Sequence, residues 1–180
     1  IQGVDILNMR DPNAPRVTII KHPDVRRMLL TMKAYIEGCR ALLYYSSYCA
    51  DQAEHNPDNK EKEKYSDFLE ILTPICKAYC SDKGFEVTRL AVQTYGGYGY
   101  CGEYPVEQYL RDAKISSIYE GTNGIQALDL IGRKVLNIKR QMKPYNDFIA
   151  HLNTFVEANR KDASLGNEVA KLGEAIATLD

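Results

Sequence analysis

Apolar residues recur three and four positions apart along most of this chain, the spacing that gathers them on one face of an α-helix. Val25, Met28, Leu29, Met32, Ile36, Cys39 and Leu43 form the first stripe. His22-Pro23-Asp24 opens it: a proline in the first turn loses no hydrogen bond, and an aspartate there is favoured by the helix dipole. The pattern predicts a long helix, buried on one side, to about Asp51 or Glu54, with Arg26 and Arg27 on its solvated face. His55-Asn56-Pro57-Asp58-Asn59 breaks it, and the mixed-charge run Lys60-Glu61-Lys62-Glu63-Lys64 reads as an exposed loop or the polar first turn of the next helix. Leu72, Ile75, Cys76, Tyr79, Val87, Leu90 and Ala91 continue a core face, and Thr73-Pro74 offers a capped restart within it. Gly84 costs a helix about 1 kcal/mol relative to alanine, so close helix–helix contact is its expected compensation.

Beyond a glycine-rich loop at 96–99, Pro105 to Ser116 reads as a short helix. Ile125, Leu128, Ile131, Val135 and Ile138 make another stripe, ended by Lys143-Pro144. Phe148, Ile149, Leu152, Phe155 and Val156 form a further amphipathic segment, and Leu165, Val169, Leu172, Ile176 and Leu179 a last one. Residues 1–21 carry turn formers instead (Asp11-Pro12-Asn13-Ala14-Pro15), with a short apolar run at Val17–Ile20 expected to pack as an ordered arm. No strand alternation is sustained and no internal repeat is evident. The expected fold is therefore all-α, an antiparallel four-helix bundle over residues 1–142 with an extra helical tail at 143–180.

Composition narrows the function. Hydrophobic content of 44% and charged content of 26% are those of a globular protein. A net charge of −1 leaves no basic excess to neutralise phosphates, which argues against nucleic acid as a partner. No run of about 18 apolar residues is present, so no membrane span is expected. The first residues read neither as a signal nor as a transit peptide, and without an initiator methionine the chain reads as a piece of something longer. Five cysteines, Cys39, Cys49, Cys76, Cys80 and Cys101, form no Cys-x-x-Cys pair. Cys76 and Cys80 share a helix face, but no histidine is near them in sequence, so buried reduced thiols in a cytoplasmic protein are expected rather than a metal site.

The candidate chemistry lies in Ile118-Tyr119-Glu120-Gly121-Thr122-Asn123-Gly124-Ile125-Gln126. Glu120 stands on the entry loop of a helix whose first turn Thr122 or Asn123 can cap. Taken alone, the stretch reads first as a solvated loop acid favoured by the dipole. Ahead of it run Gln93-Thr94-Tyr95-Gly96-Gly97-Tyr98-Gly99, Tyr104-Pro105-Val106-Glu107 and Arg111-Asp112. In this order and at these separations, Gln93 to Gln126 resembles the signature of the acyl-CoA dehydrogenase family. The resemblance covers roughly residues 17–142. Residues 143–180, the Asn123-Gly124 pair and the run Leu128–Lys134 resemble the larger bacterial members, a group that includes dehydrogenases acting on methylthio-substituted propionyl-CoA.

The resemblance implies the carboxy-terminal helical domain of an enzyme that dehydrogenates an acyl-CoA thioester across its α and β carbons with flavin adenine dinucleotide (FAD). Glu120 matches the family's catalytic base, and its backbone N–H matches a donor to the thioester oxygen. Thr122 and Gly124 match positions that touch the flavin, although the family often has glutamine at the latter. Gln93 and Gly97 match positions that reach the adenosine end of a neighbouring subunit's cofactor. Tyr119 and Gly121 match the acyl pocket. Some members carry the base on another helix, with a small residue where Glu120 stands. The family's pyrophosphate-binding arginine would fall just before Ile1. A homodimer or homotetramer, an electron-transfer acceptor and inactivity of the isolated fragment are implied as well. The alternative is a non-catalytic helical module for oligomerisation or partner binding.

Overall fold

The computed structural model describes residues 1–179 and is all-α: apart from one isolated β-bridge, Val4 to Arg16, no strand occurs among the described residues. Its helices are α1 (Pro23–His55), α2 (Asn59–Tyr95), α3 (Val106–Ile115), α4 (Asn123–Leu128), α5 (Lys143–Asn159) and α6 (Gly166–Ala177). The chain divides into two compact units, one of residues 1–44 and 76–123, the other of 45–75 and 124–180. Each unit takes part of α1 and part of α2.

In the first unit α1 opens at Pro23, as its sequence predicts, and Arg27 on its solvated face pairs with Asp24 at 2.8 Å. Met28 is buried, with Thr94 of α2 against its sulfur, and the Lys83 ammonium lies 4.6 Å from the centre of the Tyr35 ring. As numbers rise along α1 they fall along α2, so the two run antiparallel. The amino-terminal arm closes on itself through Gln2 N–H to the Val17 carbonyl, 2.9 Å, and is tied to the mouth of α1 by His22 Nε2 and the Gln2 carbonyl, 2.6 Å apart. A Cβ placed on Gly84 would meet nothing within 4 Å, so the expected close contact is absent within the chain. Gly84 instead lines a shallow apolar groove with Tyr35, Ile36, Leu43 and Val87. Cys39, Cys76 and Cys80 are half-buried and Cys49 buried, but Cys101 is exposed, its Sγ 3.3 Å from the Gly97 carbonyl. Burial and the neighbouring Cys39 push the Cys80 thiol up to about 12, which keeps it protonated and unreactive.

In the second unit the break at residues 56–58 and the charged first turn of α2 fall where the sequence puts them. The restart at Thr73-Pro74 does not occur: α2 runs through Pro74 without interruption. Pro74 has no N–H to return to the Glu70 carbonyl, but its ring is buried, and Thr73 Oγ1 donates to the Leu69 carbonyl at 2.7 Å. Phe68, 1% exposed, meets the Phe148 ring edge-on at 5.2 Å and the His151 ring at 5.1 Å. The hairpin of α5 and α6 buries Ile149, Val156, Val169 and Ile176 against one another. Each such side chain contributes about 1.5–3 kcal/mol, so the last two stripes are core. Lys143-Pro144 begins α5 instead of merely ending what precedes it, with Pro144 in the first turn.

The stripe behind Glu120 departs most from expectation. α4 lasts only to Leu128, gives way to π-helical turns over Asp129–Val135 and stops at Leu136. Wider turns shift the phase of an α-helical pattern, each extra residue rotating the downstream side chains by about 100°. Ile125 and Leu128 precede these turns and are already more than half exposed, as are Ile131 and Ile138 within and beyond them, so the stripe is not a buried face.

His151 gives this unit a pH dependence. Burial, seconded by the Lys64 ammonium, lowers its pKa from the ordinary 6.5, while the Tyr45 hydroxyl, itself held protonated by burial, lies 3.1 Å from its Nε2. The folded state therefore binds fewer protons just below pH 6.5 than the unfolded chain does. The contribution is whole above 6.5 and declines as the pH falls towards the folded-state value. The thermal midpoint is expected to drop between pH 7.5 and 5.5, and less steeply in His151→Gln. A titration of the His151 ring by NMR with a midpoint above 6.5 would contradict this.

Candidate active-site loop

The loop that carries Glu120 is built from both its ends. At the carboxy end of α3 the spare carbonyls are taken up locally. Ser116 Oγ donates to Ala113 at 2.6 Å, the buried Ser117 hydroxyl to Lys114 at 3.1 Å, and the Ile118 and Tyr119 N–H groups to Ile115 at 2.9 and 3.1 Å. The chain then reverses through two left-handed residues, Glu120 at φ 53° and Gly121 at φ 82°. Glycine adopts this conformation freely. A glutamate does so at a cost of about 1–2 kcal/mol, and such outliers gather where surrounding structure holds a functional group in place.

The holding is visible. Lys77, on α2, donates from Nζ to the Gly121 carbonyl at 2.6 Å and to Asn123 Oδ1 at 3.1 Å. Asn123 in turn donates from Nδ2 to Asp82 Oδ1 at 2.7 Å, to Ser81 Oγ at 3.0 Å and to the Ala78 carbonyl at 3.3 Å. A hydrogen bond to a charged group contributes roughly 1.5–3 kcal/mol, so this set outweighs the backbone cost at Glu120. Asn123 is thus an anchor to α2 and the first residue of α4, which leaves the cap position, of the two candidates, to Thr122.

Glu120 itself is exposed, as are Tyr119 (52%) and Thr122, while Gly121 is half-buried. Gly124 is exposed in the first turn of α4, where the second unit begins. Tyr119 to Thr122 therefore form one continuous, mostly exposed ledge within the first unit.

Gln93 and Gly97 are not brought to that ledge. Gln93 lies on α2 sixteen residues beyond Lys77, about 24 Å at 1.5 Å per residue. Both are exposed. Gly99, in the turn after α2, is demanded by the chain's own packing, since a Cβ there would lie 2.5 Å from the Val92 carbonyl oxygen. Gly97 is not: a Cβ there would meet nothing within 4 Å. Its missing side chain leaves bare backbone open to an approaching molecule.

Lys77, Ser81 and Asp82 were not legible as site residues. They recur at helical spacing off the apolar face, but their partners in the loop lie more than forty positions away. Among the described residues no group of His, Cys, Asp and Glu is disposed to hold a metal ion, and no helix is long and apolar enough to cross a membrane.

A fold of helices alone, with an exposed acid on a braced loop between two of them, defines the class: a helical domain. Residues 8–136 match the acyl-CoA dehydrogenase, C-terminal domain, and the chain belongs to that family. It is 41% identical over 170 residues to a butyryl-CoA dehydrogenase of Syntrophomonas wolfei, covering 94% of this chain and 27% of that one. It is 51% identical over 120 residues to a 3-methylmercaptopropionyl-CoA dehydrogenase of Ruegeria pomeroyi, covering 67% of this chain and 20% of that one. A solved structure described as "Electron transferring flavoprotein of Acidaminococcus fermentans: Towards a mechanism of flavin-based electron bifurcation" contains a chain that superposes with a TM-score of 0.54 at 34% identity, over 68% of this chain and 30% of that one. The chain thus spans less than a third of the length of these relatives.

Proposed function

We propose that this chain is the carboxy-terminal part of an FAD-dependent acyl-CoA dehydrogenase, and that Glu120 is the base that removes the α proton of the acyl-CoA. The observation that carries the reading is a glutamate kept in left-handed backbone on an exposed ledge by a lysine from another helix. An α C–H beside a thioester is only weakly acidic, so the reaction needs a positioned carboxylate and a donor to the thioester oxygen. In this reading the Glu120 carboxylate takes the proton as the Cα–H bond breaks, and the Glu120 N–H donates to the thioester oxygen. Tyr119 and Gly121 border the acyl chain and exclude water from it. Thr122 and Gly124 face the flavin end of this cofactor, and Gln93 and Gly97 the adenosine end of the cofactor bound to a neighbouring subunit. The open backbone at Gly97 suits a close approach by that second cofactor. Bound FAD supplies the acceptor for the β hydrogen and its electron pair, which leaves a Cα=Cβ double bond.

The relatives' names support acyl-CoA as substrate, and the flavoprotein neighbour supports an electron-transfer acceptor. Free thiols suit a cytoplasmic setting. The exposed apolar residues Ile125, Leu128, Ile131 and Ile138 are surface for the remainder of the enzyme or for a second copy in a homodimer or homotetramer. They are also what favours the second reading, a helical docking module without chemistry. Residues 143–180, with their own buried cluster, form the appended helical extension of the larger members. The test is anaerobic mixing of the full-length protein with butyryl-CoA. Bleaching of the bound flavin is expected, and a flavin that stays oxidised with this and longer acyl-CoAs would contradict the reading.

A further inference from the structure

We propose that Lys77 is a positioning residue for Glu120, acting on the base through the backbone of the loop. The inference rests on the reading of Glu120 as base. Two observations meet here. The residue after the base has its carbonyl held by the Lys77 ammonium at 2.6 Å, and the base and that residue are the two left-handed positions of the turn. The same ammonium donates to Asn123 Oδ1, and Asn123 is bound by its amide nitrogen to Asp82 and Ser81, so the loop is pinned on its far side by a chain of donors that begins and ends on α2. The near side is fixed by the end of α3. The Gly121 carbonyl belongs to the peptide that follows Gly121, so the Lys77 hold fixes that peptide and with it the backbone of the second left-handed residue. Releasing it would let the turn relax about Glu120 and Gly121 and re-aim the Glu120 carboxylate.

Lysine suits this task because the anchor needs several donors from one atom, directed at a carbonyl and an amide oxygen, and an ammonium offers three. Methionine has nearly the same length and offers none. In the full-length holoenzyme, Lys77→Met is therefore expected to lower kcat by about 10²-fold, the size of effect that a misplacement of about 1 Å produces. KM for the acyl-CoA should change by less than about threefold, because the groups that bind the remote parts of the substrate are untouched. The kinetic isotope effect on kcat with α-deuterated acyl-CoA should rise as proton removal becomes limiting. Lys77→Arg keeps donors in reach and should recover part of the rate. A purely structural lysine would lower the thermal midpoint and the flavin content together and leave the isotope effect where it was.

A folded Lys77→Met enzyme with kcat within threefold of the wild type overturns the proposal. If that variant does not fold, Asn123→Ala carries the test, since it removes the second half of the anchor: a tenfold or greater loss with an enlarged isotope effect supports the proposal, and wild-type kcat overturns it. Glu120→Gln measured alongside separates this inference from the reading beneath it. An active Glu120→Gln enzyme removes the base itself, whereas an inactive one beside an unimpaired Lys77→Met enzyme removes only the role of Lys77.

Discussion

In the full-length enzyme, Glu120→Gln is expected to lower kcat by about 10²- to 10⁴-fold, the contribution typical of a positioned general base, with flavin content unchanged. Glutamine is close in size to glutamate and accommodates the same left-handed backbone no worse, and the anchors at Gly121 and Asn123 do not involve the side chain at 120. The Lys77 and Asn123 bonds therefore persist, the loop stays where it is, and the Glu120 N–H remains available to the thioester oxygen. What is lost is an acceptor for the proton. Since substrate binding does not depend on that acceptor, the loss should fall on kcat and leave KM within a few fold. Steady-state assay with butyryl-CoA, beside a visible spectrum of the bound flavin, checks both parts. Unchanged turnover with full flavin would move the chemistry off this residue and leave the docking-module reading standing.

The second large effect is on stability. Asp67 sits on α2 with its side chain only 3% exposed and is met by Arg140 in a two-pronged pair, Nη1 to Oδ1 at 2.7 Å and Nη2 to Oδ2 at 2.8 Å. The pairing raises the Arg140 pKa further, through its hydrogen bonds to Asp67, so the guanidinium stays charged at every pH of interest. Lys143 lies 3.5 Å from the same carboxylate, but its shorter contact, 2.9 Å, is to Asp147, and its side chain is 48% exposed. It makes a poor substitute. Arg140→Met thus leaves a buried carboxylate without its principal partner, which costs roughly 3–5 kcal/mol. Urea unfolding should register that loss as a lower midpoint at unchanged slope. Combining Asp67→Leu with Arg140→Met removes both charges and should recover much of the stability, because an apolar replacement pair is often neutral or better. A loss below about 1 kcal/mol in Arg140→Met, the range of exposed pairs, would show that Asp67 is not committed to Arg140.

What the sequence made legible depended on how local the cause was. Pro23 opens α1, Pro57 falls within the break before α2, and the spacing of Ile149, Val156, Val169 and Ile176 marks a hairpin core, because each of these effects acts within a few turns. Pro74 misled for the complementary reason. A proline ends helices through a local defect, but burial of its ring and the Thr73 hydroxyl on the Leu69 carbonyl carry α2 across it. The stripe from Ile125 to Ile138 also had the right period, but its residues are exposed already in α4 and the chain turns π-helical after Leu128, neither of which the spacing reveals. At the site, the ordered motifs found Glu120 and its neighbours. They did not find Lys77, whose role exists only when α2 and the loop meet, and between Thr122 and Asn123 as caps they did not show that the Asn123 amide belongs to α2. Gly84 was given a close neighbour that the fold does not supply.

The central claim, a carboxylate at position 120 that takes the α proton, is tested most directly by exchange. Full-length enzyme is incubated with butyryl-CoA in D₂O with its flavin already reduced, so that only proton transfer can occur, and recovered substrate is weighed by mass spectrometry. Deuterium at the α carbon in the wild type, and none above background in Glu120→Gln, is the predicted result; equal incorporation in the two proteins would contradict it.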